Sequence, residues 1–315
     1  MAITLSKAKG EWASRWKPAA LKGTTLLPSA KTGERFRNEI ALLTEKMIRT
    51  VERDVLALFR SPAARAVMDA DGGARKPLTR TTGSIASQSR IQINRLAETF
   101  ARLFERRAKR IAEAMVSGMA KSSQTALTAS LSKATGVGLA ISLQSGARQE
   151  IVKAMQSGAL HEIVKASAEE AASLIRRIPQ DYIGRVRESL LRSITHAGEP
   201  SLFETLEAEV KEHGIKVRNW AYNTARDQTN KAFTNLTRER MKSAGVDTFE
   251  WIHSGGGSKP REYHLKDAKD GGLNHGVFSI ADPPVIDERT GERGMPGQLP
   301  NCRCKFRPII DLDDV

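Results

Sequence analysis

Residues 34–60 read Glu34-Arg35-Phe36-Arg37-Asn38-Glu39-Ile40-Ala41-Leu42-Leu43-Thr44-Glu45-Lys46-Met47-Ile48-Arg49-Thr50-Val51-Glu52-Arg53-Asp54-Val55-Leu56-Ala57-Leu58-Phe59-Arg60. Phe36, Ile40, Leu43, Met47, Val51, Val55 and Leu58 recur at spacings of three and four, which puts them on one face of a helix. Ser61-Pro62 then breaks it, because the residue before a proline is pushed out of the helical region. The period returns from Ile85 to Val116, where Ile93, Leu96, Phe100, Leu103 and Ile111 share a side. Residues 66–84 between these helices read as a loop, with Asp71-Gly72-Gly73 and Lys76-Pro77.

Residues 117–147 are rich in Ser, Thr, Ala and Gly, and the pattern leaves helix, linker and partner-ordered segment open. Residues 148–178 are helical again, and Pro179 suits the first turn of a new helix that stops at Gly198. Ser201-Leu202-Phe203-Glu204 reads as a capping box opening a short helix that Gly214 ends. A last long helix runs from about Lys216 to Ala244, with Gly245 placed to close it in a left-handed conformation. From Asp247 onward the composition turns to strand-like pieces among Gly and Pro: Thr248 to Ile252, Val277 to Ile280 and Cys304 to Ile309.

The expected fold is mainly α, with elongated helical N-terminal and middle regions and a small α+β C-terminal domain. The expected divisions are a basic arm (1–30), a basic helical region (31–150), a helical middle region (151–246) and the C-terminal domain (247–315). A lobe of that size has little core of its own, and a staple such as a metal would help it.

The net charge of +14 is unevenly spread. Residues 1–150 carry 26 Lys+Arg against 12 Asp+Glu, and the remainder is balanced. One-sided basic charge points to an anionic partner, most often nucleic acid or an anionic membrane surface. Arg102, Arg106, Lys109 and Arg110 form a stripe on the second helix and are the candidates for phosphate contact, against the reading of a solvated helix face. In the arm, Trp12 and Trp16 lie among Lys7, Lys9, Arg15, Lys17 and Lys22, as stacking residues or as anchors on the body. Two cysteines exclude a disulfide framework. No run of about 20 apolar residues predicts a membrane span, and Met1 to Trp12 shows no apolar secretion signal, so no membrane partner is expected.

The C-terminal part carries Trp251, then Pro260-Arg261-Glu262-Tyr263-His264, Phe278, Pro283-Pro284 and finally Pro300-Asn301-Cys302-Arg303-Cys304. Upstream stand Leu174-Ile175-Arg176-Arg177-Ile178-Pro179-Gln180-Asp181-Tyr182 and Ala225-Arg226-Asp227-Gln228-Thr229. In this order the set resembles the phage head morphogenesis family, minor head proteins similar to the F protein of phage Mu. The motif residues are Trp251, Pro260, Arg261, Asn301 and Arg303. The resemblance implies a structural component of the capsid interior associated with the portal, made in the host cytoplasm and carried in the virion. It implies the portal protein, packaged double-stranded DNA and other head or scaffold proteins as partners, and no enzyme activity. The alternatives are a protein ejected with the genome and a metal-dependent nuclease; no compact His-Asn-His arrangement or carboxylate cluster favours the latter.

Cys302 and Cys304 are one residue apart, so on a strand both thiols point to one side. With two imidazoles such a pair completes a tetrahedral zinc site, and His253 and His264 are the choice because they lie within the matched stretch. The competing reading is two buried thiols acting as small apolar groups. Arg261 and Arg303 are expected in ion pairs with Asp267, Asp270 or Asp282, and Arg226 and Asp227 are expected to tie the long helix to the C-terminal lobe.

Overall fold

The structure is a computed structural model that describes residues 20–60, 85–134, 158–195, 202–255 and 260–311. It is mainly α with a small sheet-bearing C-terminal region. The helices are α1 (Ala30–Arg60), α2 (Ile85–Ala134), α3 (Gly158–Thr195), α4 (Leu202–Ser243) and the short α5 (Glu262–Leu265). The strands are β1 (Ala20–Lys22), β2 (Thr248–Ile252), β3 (Val277–Ser279), β4 (Val285–Asp287), β5 (Glu292–Arg293) and β6 (Lys305–Asp311). None of the helices is long and apolar enough to cross a membrane.

The chain divides into two compact units. The helical unit holds Arg35–Ala112 and Glu170–Ala225. Its core takes Phe36, Ile40, Met47, Val51 and Val55 from the face read on α1, with Phe100 and Phe104 of α2 and Ile175, Ile178 and Val186 of α3; Leu43, Leu58 and Leu103, read on the apolar faces, are only half-buried. The sheet unit holds Met1–Glu34, Glu113–Glu169 and Arg226–Val315.

Two breaks expected from sequence are absent, and part of a stretch left open is helical, each for a local reason. Pro179 lies inside α3, not at a helix start. Its ring removes one backbone donor, but Ile175, Ile178, Tyr182 and Ile183 are buried on both sides of it, and that packing outweighs the lost bond. Gly214 lies inside α4. A Cβ there would stand 3.2 Å from both Glu52 Oε1 and Ile48 Cγ2, so the glycine serves close packing of α4 on α1. Residues 117–134 continue α2 as regular helix. Their small side chains let neighbours approach: Ser123 Oγ lies 2.9 Å from Thr237 Oγ1, and Ser130 Oγ accepts from Thr24 N–H at 2.8 Å. Trp12, Trp16, the loop 66–84, residues 135–147 and the Ser201 cap lie outside the described residues.

Gly245, at φ 70°, closes α4 as expected, with the Val246 N–H donating to Met241 C=O at 2.9 Å. The chain then enters an antiparallel sheet in the order β1-β6-β2-β3. The register pairs Glu250 with Arg307, Trp251 with Phe306, and Lys22 with Ile309. Residues 20–30, read as part of a basic arm, therefore supply an edge strand and a further bridge from Leu26 to Phe306. Alternation sends Phe249 and Trp251 to one face, where Phe249 packs against Phe278 and Phe306 at centroid distances of 6.0 Å. Glu250 faces the other way, yet its side chain is only 3% exposed. Arg307 grips its two oxygens at 2.7 and 2.8 Å, and Lys22 approaches to 3.2 Å. Burial alone would raise the Glu250 pKa; the Arg307 and Lys22 bonds more than offset this and hold it below the ordinary glutamate value.

Candidate metal centre

His264, Cys302 and Cys304 come together in the sheet unit, all three buried, with one ligand atom from each within 4.8 Å of the others. This group could hold a metal ion. Each residue is fixed by a separate piece of local structure. Asn301, at φ 60°, makes a left-handed turn, a conformation Asn tolerates better than most residues. From there period-two alternation buries Cys302 and Cys304 and leaves Arg303 exposed as the chain enters β6. His264 stands on α5, its ring edge-on to the Trp251 indole at 5.0 Å.

The histidine is oriented by one bond. Its Nε2 lies 2.8 Å from the Ile286 carbonyl of β4. A carbonyl only accepts, so Nε2 carries the proton and the Nδ1 lone pair is left for the sulfurs. Nδ1 is 3.7 Å from Cys302 Sγ and 3.8 Å from Cys304 Sγ. A tetrahedral ion with Zn–S of about 2.3 Å and Zn–N of about 2.0–2.1 Å needs an N···S edge of about 3.6 Å. Both N···S edges thus lie close to what such an ion needs.

The electrostatics favour one negative sulfur of the two. The Cys304 thiol hydrogen-bonds to Cys302 and, against the opposing effect of burial, brings Cys302 well below the ordinary thiol range, helped by His264 and by the Gly297 and Cys304 amides. The same bond and burial push Cys304 up, while the Trp251 indole and the Ser254 amide act in the opposite direction. Amide donors aimed at paired sulfurs are what a thiolate centre requires.

The segment that carries the cysteines lies on α4. Arg226 Nη2 donates to Asn301 Oδ1 at 2.8 Å, and the Asn301 N–H donates to Asp227 Oδ2 at 2.9 Å. Asn230 Nδ2 reaches the Cys302 carbonyl at 3.4 Å, Thr234 Oγ1 donates to the Pro296 carbonyl at 2.8 Å, and Gln298 Nε2 to Asn235 Oδ1 at 2.7 Å. Gly297, at φ 85°, lets the turn pass close to Thr234. Burial raises the Asp227 pKa, with Asn301 and Arg226 pulling against it. The tie between Arg226, Asp227 and the C-terminal lobe is as the sequence indicates. Asn230 and Thr234 were missed there, although 227, 230 and 234 follow the three-four spacing of one helix face.

Two expectations need correction. His253 does not join the cluster: its N–H donates to Asn274 Oδ1 at 2.8 Å, and its Nδ1 accepts from the Gly255 N–H at 3.0 Å. The Arg261 and Arg303 ion pairs are also not formed. Arg261 Nη2 donates to the Pro300 carbonyl at 3.1 Å, while Asp282 pairs with Arg293 and Asp267 accepts from Asn274. Arg303 is exposed, as is Pro260, whereas Trp251 is fully buried. In the helical unit, Arg102, Arg106, Lys109 and Arg110 are all exposed on α2. Arg102 pairs with Glu98 at 3.3 Å and Arg110 with Glu39 at 3.6 Å.

No family model matches the chain. No solved structure matches it either. It is similar to an uncharacterized protein of Haemophilus influenzae, 29% identical over 141 residues, a stretch covering 45% of this chain and 28% of that relative's length.

Proposed function

We propose that this chain is a minor head protein of a phage, a non-enzymatic component of the capsid interior beside the portal, and that His264, Cys302 and Cys304 hold zinc. The observation that carries the reading is the junction on α4. The stretches that bear the resemblance, Ala225 to Thr229 and Pro300 to Cys304, are bonded to one another through Arg226, Asp227 and Asn301. Trp251 and His264, from the same set, pack together over the cysteines. An ordered set of motif residues that meet in one joint supports a shared architecture rather than scattered coincidence. The joint is built of backbone carbonyls, amides and buried side chains, which suits a structural role. The exposed stripe on α2 supports contact with packaged double-stranded DNA, although Arg102 and Arg110 are partly neutralised by Glu98 and Glu39.

Zinc fits the donors because thiolate and imidazole are its ordinary ligands. When bound it supplies a cross-link between α5 and the turn before β6. Co-purification of the full chain with its portal protein tests the head role: a stable complex is expected, and no complex at micromolar concentrations overturns it. Elemental analysis tests the metal. About one zinc per chain is expected, lost in Cys304→Ala and His264→Ala and retained in His253→Ala. Metal-free protein whose melting is unchanged by chelator overturns the zinc assignment.

A further inference from the structure

The helical unit carries a groove of about 840 Å³ between α1 and α4. Its α1 wall runs from Arg37 to Glu45 and its α4 wall from Arg218 to Tyr222. At 1.5 Å per residue the longer wall spans roughly 12 Å, or two helical turns. Leu42 is 72% exposed and Tyr222 52%, so two large side chains stand at the groove with much of their surface in water. Thr44, only 1% exposed, lines the floor, and its Oγ1 has no hydrogen-bond partner among the described residues.

The charges in the groove do not cancel. Arg218 is paired with Glu45 at 2.8 Å. Arg37 instead donates from Nη1 to the Tyr222 hydroxyl at 2.9 Å, and its guanidinium lies 5.1 Å from the ring centroid. Tyrosine is neutral, so these contacts orient the Arg37 charge without neutralising it. The groove therefore presents Arg37, an oriented cation with no carboxylate partner among the described residues, beside an apolar slot. Tyr and Arg are the residue types that most often dominate binding energy at interfaces.

We infer that this groove seats a two-turn helical segment of a partner protein, one that offers aliphatic side chains to the slot and an acidic side chain to Arg37. A helix laid between two others fills the groove with residues at i, i+3 or i+4, and i+7. The carboxylate pairs with a guanidinium already held in place by Tyr222, so little side-chain entropy remains to be lost on binding. The proposal rests on the portal reading for the identity of the partner, and the experiment separates the two.

Affinity of the full-length chain for its portal protein is measured by calorimetry for wild type, Arg37→Glu, Arg37→Lys and Leu42→Asp, with circular dichroism confirming equal helicity. Arg37→Glu and Leu42→Asp are expected to weaken binding at least 100-fold, and Arg37→Lys about tenfold or less. Absence of wild-type binding overturns the portal reading and this proposal with it. Wild-type binding that both disruptive variants leave intact overturns the groove alone. A wild-type dimer that these variants dissociate in sedimentation means that a second copy fills the groove, and overturns the inference as well.

Discussion

The helical unit and the sheet unit reach order by different means. In the first, α1 to α4 bury Phe36, Ile40, Phe100, Phe104, Ile178 and Val186, and specificity comes from which face each helix hides. In the second, the sheet has an aromatic face around Phe249 and Trp251, but much of its definition is polar: the Glu250 cluster, the bonds along α4 and the sulfur group. An apolar stripe tolerates shifts of volume and some exchange of residues. A buried polar set does not, because one missing partner leaves another unsatisfied. The helical unit should therefore absorb single substitutions that the sheet unit will not.

The sharpest break of that contrast is Glu250→Gln. Removing one partner of a buried pair costs roughly 3–5 kcal/mol. Here Arg307 and Lys22 are 30% and 57% exposed, so water screens them and a loss of about 2–3 kcal/mol is expected by urea unfolding at neutral pH. The Glu250 pKa is depressed in the folded state, so its contribution is full above the unfolded glutamate value and disappears as pH falls through the lower folded one. The gap between wild type and Glu250→Gln should thus narrow in acid; an equal gap at pH 7 and pH 3 would refute the assignment.

A smaller effect is expected at Asn301. Asn301→Ala removes the acceptor of the Arg226 bond and places a less tolerant residue at φ 60°, for a loss of about 1–2 kcal/mol. Asn301→Gly keeps the turn and should recover part of that loss, which thermal melting of the two variants can read. The smallest effect belongs to the helical unit. Gly214→Ala gains about 1 kcal/mol of helix propensity, against contacts of 3.2 Å to a glutamate tip and an isoleucine methyl. These nearly cancel, and the melting temperature should move by only a few degrees; a loss above about 3 kcal/mol would mean that α1 cannot give way.

What the sequence reveals follows the same division. The face of α1, the end of α4 at Gly245 and strands β2, β3 and β6 are legible because periodicity and a single left-handed glycine are local signals. Pro179 and Gly214 mislead because local propensity favours a break, while Ile178, Tyr182 and Ile48 from the surrounding packing favour continuity. At the candidate metal site, Cys302 and Cys304 are readable from type and spacing and His264 from the matched stretch, but His253 lies in the same stretch and is not distinguishable from His264. Its position is decided by Asn274, 21 residues away, and nothing in the spacing announces that. The Ile286 carbonyl that sets the tautomer is a backbone atom, and sequence carries no sign of it.

Strand β6 lies between β1 and β2, so the partner of Lys22 is Ile309. A ribosome adding about 5–20 residues per second needs on the order of tens of seconds to travel from one to the other. Throughout that interval β1 has no neighbour to receive it, and the two cysteines just ahead of β6 have not yet been made. Closure of this sheet is thus a late event in the life of each nascent chain, and an interrupted translation product would expose an unpaired edge ready to capture another copy.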